Sequence, residues 1–424
     1  MNFVYIDPGL INYAGHHTSF CRHLTRALRQ HGHTVSIYGN RYMVDSIRRD
    51  LNATPVFRAN PYTEYVPEHH TEADPICGWL KAFEIIWQAT LEDLGFVKEP
   101  SPDDLIYWNS AFPPQLVALT HWLKRLPDAR RPKVILELNL DSGIEAGRDE
   151  EGKLQFQVPD PRLKQRPTLW RYAALLLNDP GLRDRIKLIN YEATTIAGYE
   201  YLMKQPVEAW VPPFAGLEAA HSRVGKRAFA IGILGYQREE KGFKLVPELV
   251  KRLLDARRDI AILVHNCDPA FMADVQAELR KMASCFDRLV LREGPLAPGG
   301  WERTLASCDL ILCPYDPVAF ETRCSGMLNE AIANAIPVVV PAKTSLSRML
   351  EDFGSPGAVF ESWSACSVAA AVNTVLDAYD GHAQSAFDAS VRWRQEHSVD
   401  QLVEKMTGWA VASRNEPVLA AADA

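Results

Sequence analysis

The chain has 424 residues, of which 47% are hydrophobic and 23% charged, with a formal net charge of −7. That length exceeds one ordinary core, so two domains are expected, and the composition is that of a globular protein rather than a disordered one. The acidic balance excludes sequence-independent nucleic-acid binding, which needs a dominant basic field, but leaves room for anionic small molecules at local basic loops.

The opening MNFVYIDPG reads as a first β-strand and not as a signal peptide, and no segment approaches the roughly 18 to 20 consecutive apolar residues that span a bilayer. A cytoplasmic location is expected. The eight cysteines, at 21, 77, 267, 285, 308, 313, 324 and 366, lack CxxC spacing and sit in apolar contexts. They read as reduced thiols rather than as disulfides or zinc ligands.

Strand-length apolar runs alternate with helical patterns along the chain. In the first half the expected strands are 2–7, 34–39, 54–59, 104–109, 133–139 and 187–192, with a helix over 17–30. Arg22, His23, Arg26 and Arg29 give that helix a basic face, read as solvated, with docking on a membrane surface as the alternative. The polar stretch 147–157 reads as an exposed excursion or hairpin. The second series of strands is 229–234, 260–265, 288–292, 310–314, 337–340 and 358–361, with helices over 242–254, 269–283, 300–307 and 325–335. Val211-Pro212-Pro213-Phe214 is a stiff joint, because each proline fixes φ and restricts the residue before it. The expected organisation is therefore an N-terminal domain over 1–211, a C-terminal domain over 212–395, and a terminal helix with a frayed tail over 396–424. Strand–helix alternation implies parallel sheets covered on both faces, that is, two doubly wound α/β domains with a ligand cleft at their strand ends.

Two segments carry chemistry. In 229–247, FAIGILGYQREEKGFKLVP, an apolar strand ends at Gly235, and a helix is expected from about Gly242. Unpaired N–H groups at such a corner favour anions, and Arg238 and Lys241 add two cations that can grip a diphosphate. The same residues also fit a solvated loop whose charges pair with Glu239 and Glu240. In 308–341, a buried strand leads through a proline-rich loop to Ser325-Gly326 and a helix carrying Glu330. The helix start offers a second phosphate cradle, and Glu330 can accept hydrogen bonds from a ribose diol. Alternatively Ser325 is a helix cap and Glu330 a favourable charge early in the helix.

In this order the two segments resemble the C-terminal domain of GT-B glycosyltransferases, specifically the large retaining group that uses nucleotide-sugar donors. The residues that carry the likeness are Gly235, Arg238, Lys241 and Gly242, then Glu330-Ala331 and Pro337-Val338-Val339. The resemblance implies two Rossmann-like domains facing each other across a cleft. It assigns Arg238 and Lys241 to catalysis, and Gly15, Gly235, Gly294, Leu296, Ser325, Gly326 and Glu330 to donor binding. The backbone of 294–296 would meet the nucleotide base. Two departures stand out. A common first glutamate of the family would fall at Thr322 rather than Glu321, and Ala335 replaces a usual glycine. In the first domain, Asp7-Pro8-Gly9-Leu10 to Ala14-Gly15-His16-His17 and His31-Gly32-His33-Thr34-Val35 resemble the family's first strand, glycine loop and following turn. His16, His17, Asn109, Asn139 and Glu321 are candidate acceptor or cleft residues. His16 and His17 equally fit ordinary polar positions near a helix start.

The expected reaction moves a sugar, most simply a hexose, from a UDP- or GDP-sugar to a hydroxyl of a glycan, glycolipid or small molecule, with no cofactor beyond the donor. The chain contains no Asp-x-Asp motif, which agrees with metal-independent chemistry. Retention of configuration rests on the resemblance alone. Two alternatives share the architecture: a nucleotide-sugar 2-epimerase, and a catalytically inactive scaffold that binds a glycan or protein partner.

Overall fold

The computed structural model describes residues 1–13, 16–60, 62, 75–138, 142–148, 151, 153–158, 166–211, 228–296, 299–321 and 323–412. The chain divides into two compact units. One comprises Met1–Ile11, Phe20–Pro213 and Val399–Ala424; the other comprises Asn12–Ser19 and Phe214–Ser398.

The first unit contains β1 (Asn2–Asp7), β2 (Thr34–Asn40), β3 (Thr54–Phe57), β4 (Leu105–Trp108), β5 (Lys133–Glu137), the hairpin of β6 (Glu145–Arg148) and β7 (Leu154–Gln157), β8 (Ile186–Asn190) and β9 (Val207–Ala209). Its main sheet runs β3-β2-β1-β4-β5-β8-β9, and every neighbouring pair is parallel. Apolar runs such as Leu105–Trp108, buried at all four positions, fit strands covered on both faces. β9 is not anticipated from sequence. It is three residues long at the sheet edge with one buried side chain, too little for a periodic signal.

The terminal helix Val399–Ala412 belongs to this unit. Lys133 Nζ donates to the Ala410 carbonyl at 2.7 Å, and the ammonium groups of Lys133 and Lys187 each lie 5.4 Å from the Trp409 ring centroid. Cations at the carbonyl-bearing end of a helix oppose its dipole favourably.

The second unit contains β10 (Phe229–Ile233), β11 (Ile260–Asn266), β12 (Leu289–Glu293), β13 (Leu310–Leu312), β14 (Val338–Pro341) and β15 (Gly357–Phe360). The sheet order is β12-β11-β10-β13-β14-β15, again parallel throughout. Both units thus wind outward in both directions from a central first strand, the Rossmann-like arrangement.

Two helices start later than expected from sequence: that expected over 269–283 begins at Ala273. The α-helix after β10 starts at Val246, not near Gly242; single 3-10 turns at Glu239–Lys241 and Phe243–Leu245 precede it. Pro247 explains the later start: proline is tolerated in the first helical turn, but farther in it would remove a backbone bond and clash with the turn before it. Ala335, where the resemblance led to an expectation of glycine, has φ 58°, in the left-handed region.

Candidate functional site

In the second sheet β10 has β11 on one side and β13 on the other, so the strand order reverses beside β10 between β12 and β13. Loops that follow the carboxyl ends of such strands part at this point and leave a crevice, the usual ligand position in open α/β sheets. The two loops here are 234–245, after β10, and 313–325, after β13. Gly242 holds them together. Its φ is 72°, and a β-carbon on it would stand 1.8 Å from the carbonyl oxygen of Pro314. Beside this contact Asp316 N donates to the Glu240 carbonyl at 2.9 Å.

The loop after β10 turns at Gly235, whose φ is 109°. Buried Gln237 anchors the turn by donating to the His265 carbonyl at 2.9 Å. Arg238 is exposed and lies over the Tyr236 ring, 4.8 Å from its centroid. Lys241 is half-buried, with its ammonium 5.7 Å from the Tyr315 centroid. Burial, and then the Arg238 charge, hold the Lys241 pKa below the usual lysine value.

The acidic neighbours leave these cations largely uncompensated. Glu239 pairs with Lys244 at 2.6 Å, and Glu240 approaches Arg238 only to 3.8 Å. Lys241 forms no ion pair within 4.0 Å among the described residues. Two adjacent cations, one desolvated, create a local demand for an anion. The backbone contributes less than the sequence implied. The N–H groups of Lys241, Gly242, Phe243 and Leu245 bond to carbonyls within the 3-10 turns, so this corner offers side-chain cations rather than an open α-helix start.

The loop after β13 does end in a helix start. Ser325 caps the helix Gly326–Ala333, its hydroxyl accepting from Leu328 N at 3.3 Å. Tyr315 is buried beside Lys241, and burial pushes its phenol well above the ordinary value, with the nearby Ser325 hydroxyl opposing the rise. Lys241, Tyr315 and Ser325 are therefore consecutive members of one cluster. Capping and phosphate binding at Ser325–Gly326 are compatible, because the cap occupies a different N–H from those at the tip of the helix.

Glu330 lies just over one turn into the same helix and accepts from the indole N–H of Trp301. Burial raises its carboxyl to about 7; the Trp301 hydrogen bond opposes the rise and Glu302 adds to it. Trp301 is 5.9 Å, centroid to centroid, from His265, whose Nε2 lies 3.0 Å from the Gly294 carbonyl. Burial lowers the His265 pKa. Gly294 has φ 81° and leads to half-buried Leu296, whose Cβ would be 3.4 Å from a β-carbon on Gly300. Trp301 thus links Glu330 to His265, which in turn meets the Gly294 carbonyl.

Glu321 is exposed; its carbonyl is held by Ser345 N at 3.0 Å and Arg348 Nη2 at 2.7 Å. Asn109, in the first unit, donates to Asp7 Oδ2 at 2.8 Å, and Asp7 also accepts from Gly9 N at 2.9 Å. Next to this pair the stacked rings of Tyr5 and Tyr107 lie 5.8 Å apart, and Tyr107 donates to Glu137 at 2.5 Å. The rings of His16 and His17 stack at 4.4 Å. Gly15 and Asn139 lie outside the described residues.

Trp301, Tyr315 and His265 were not singled out by sequence reasoning. Only Tyr315, inside the Cys-Pro-Tyr-Asp-Pro loop, stood in a segment already marked as chemical. A cavity of about 600 Å³, lined by residues including Arg183, Lys187, Glu208 and Trp409, lies at the amino ends of β8 and β9. That is the opposite edge of a parallel sheet from the usual ligand position. Among the described residues, no group of three or more His, Cys, Asp or Glu side chains is placed to hold a metal ion. No helix among them is long and apolar enough to cross a membrane, and Cys21, Cys267, Cys285, Cys308, Cys313, Cys324 and Cys366 form no disulfide.

Solved structures share this architecture over nearly the whole chain. The Anabaena protein HepE in complex with UDP-glucose aligns over 97% of this chain and 100% of its own, at 13% identity and a TM-score of 0.61. A glycosyltransferase from Rickettsia africae aligns over 98% and 99%, at 12% identity and a TM-score of 0.60. Sucrose-phosphate synthase from Thermosynechococcus elongatus aligns over 97% and 100%, at 12% identity and a TM-score of 0.60. The fold is GT-B. At such identities the likeness establishes the fold alone; function has to be argued from the site. No family model matches the sequence, and no curated protein matches it. Within the GT-B fold the Arg238–Lys241 corner and the Ser325 helix start both belong to the second Rossmann-like unit.

Proposed function

We propose that the protein is a glycosyltransferase that moves a sugar from a nucleoside-diphosphate sugar to an acceptor hydroxyl. The observation that carries this reading is the pair Arg238 and Lys241 at the β10/β13 switch point, with the half-buried lysine lacking an acidic partner among the described residues. As the bond between the anomeric carbon and the β-phosphate oxygen breaks, negative charge grows on the departing diphosphate. Preorganised cations in a desolvated setting stabilise that charge without reorganisation at the moment of reaction. The N–H groups at the start of Gly326–Ala333 add helix-dipole stabilisation, and Glu330 receives the ribose.

In this reading side chains supply the positive charge, so chelators leave turnover unchanged. The acceptor hydroxyl attacks on the face the diphosphate leaves, which retains configuration and hands the hydroxyl proton to a diphosphate oxygen. The HepE complexes with UDP-glucose, and with UDP and glucose, support UDP-hexoses as the first donors to try. The acceptor is a hydroxyl of a glycan, glycolipid or small molecule, and the reaction is cytoplasmic.

The test is incubation with a panel of UDP- and GDP-sugars, with and without EDTA, followed by analysis of nucleotides and sugars. Free nucleoside diphosphate with a glycosylated product is expected. Conversion to an isomeric sugar nucleotide would make the protein an epimerase, and tight glycan binding without turnover would make it a scaffold.

A further inference from the structure

The contact between Trp301 and Glu330 goes beyond the general site. Resting on the nucleotide reading above, we infer that Trp301 is a positioning residue that holds the Glu330 carboxylate ready for the ribose diol of a nucleoside diphosphate. The indole N–H is a donor only, and it bonds Oε2 from a different element, the helix Gly300–Ala306. A carboxylate has about four lone-pair positions, so one N–H leaves acceptors for two hydroxyl groups. Oε1 has no hydrogen bond to any described residue. Fixing the carboxylate before binding lowers the rotamer entropy lost on binding. Trp301 also neighbours His265, whose Nε2 lies 3.0 Å from the Gly294 carbonyl.

The surrounding charges give this contact a second consequence. Glu302, on the helix that carries Trp301, disfavours the ionised form of Glu330. His265 of β11, whose ring centroid is 5.9 Å from that of the indole, has its pKa lowered by burial and so supplies no cation near neutrality. Arg292 of β12 donates to Thr304, and its charge acts on His265. The Trp301 N–H is thus the adjacent group that favours the carboxylate form of Glu330, against burial and Glu302. Since the ionised form accepts both diol protons, nucleotide affinity rises as pH increases through about 7.

Calorimetry with UDP, GDP and their 2′,3′-dideoxy counterparts, on both sides of neutral pH, tests this. In Trp301→Phe the preference for the ribose form should fall about tenfold, and the pH profile should move to higher pH. Inorganic pyrophosphate binding should be unchanged, which shows that the variant is folded and its cation corner intact. Trp301→His, which keeps a ring N–H, should recover part of the preference. An unchanged ribose preference and pH profile in Trp301→Phe overturns the inference, as does Trp301→His behaving like the phenylalanine variant. Failure of the unmodified protein to bind either nucleotide overturns the nucleotide reading itself, and the inference with it.

Discussion

Gly242 lies against Pro314 so closely that a β-carbon on the glycine would be 1.8 Å from the proline carbonyl oxygen. This one approach ties the cation-bearing loop after β10 to the Tyr315–Ser325 loop after β13. Gly242→Ala forces the loops apart at a residue whose φ is already 72°. We expect a loss of about 3 kcal/mol or more in denaturant unfolding, with loss of nucleotide binding. Gly235→Ala makes a useful contrast. Its φ of 109° also strains a side chain, but nothing lies within 4 Å of the added carbon. A smaller cost of about 1–2 kcal/mol is expected there.

Arg238→Ala and Lys241→Ala should each cut turnover on the order of a hundredfold or more, read in steady-state kinetics with a UDP-hexose. Full activity in both variants would remove the proposed diphosphate site. Lys241→Met should also raise the melting temperature of the unliganded protein at neutral pH. The folded-state pKa of this lysine is depressed, so its favourable contribution is complete above the ordinary lysine value and is lost as pH falls through the lowered one. At neutral pH the buried charge is a cost that methionine does not carry.

Glu330 gives the opposite dependence. Its folded-state carboxyl titrates near 7, above the ordinary value of 4.5. The stability it contributes is complete below that ordinary value and is lost as pH rises through about 7. Glu330→Gln should therefore melt higher than the unmodified protein at mildly alkaline pH, by roughly 2–4 °C, with the gap closing in acid. Thermal melts without nucleotide across that range are the check; a gap independent of pH contradicts the assignment.

Ala335 sits at φ 58° at the end of the helix Gly326–Ala333. Glycine adopts this conformation without the β-carbon penalty, so Ala335→Gly should stabilise the second unit by about 0.5–1 kcal/mol. Chemical denaturation measures this, and turnover should be unaffected. A destabilised variant would mean that the Ala335 methyl packs favourably enough to offset its strained backbone.

Patterns set by neighbours in the chain were legible before any coordinates. The apolar run 229–234, broken at Gly235, marked both the strand and its turn. Ser325 before the run 326–333 marked a capped helix. These are local effects: strand burial, glycine's access to positive φ, and a hydroxyl reaching an N–H three residues on. Pro247 carried the information that the helix after β10 starts late, and the reading missed it.

By itself the sequence determined two parallel α/β layers and the residue types that stand in the loops after β10 and β13. Only the tertiary structure decided that Gly242 touches Pro314, that Lys241 lies against the Tyr315 ring, and that Trp301 holds Glu330. The physical reason is range. Backbone preference and hydrophobic period act over a few residues, whereas these contacts join positions 29 to 74 residues apart, brought together by the order of strands in the sheet.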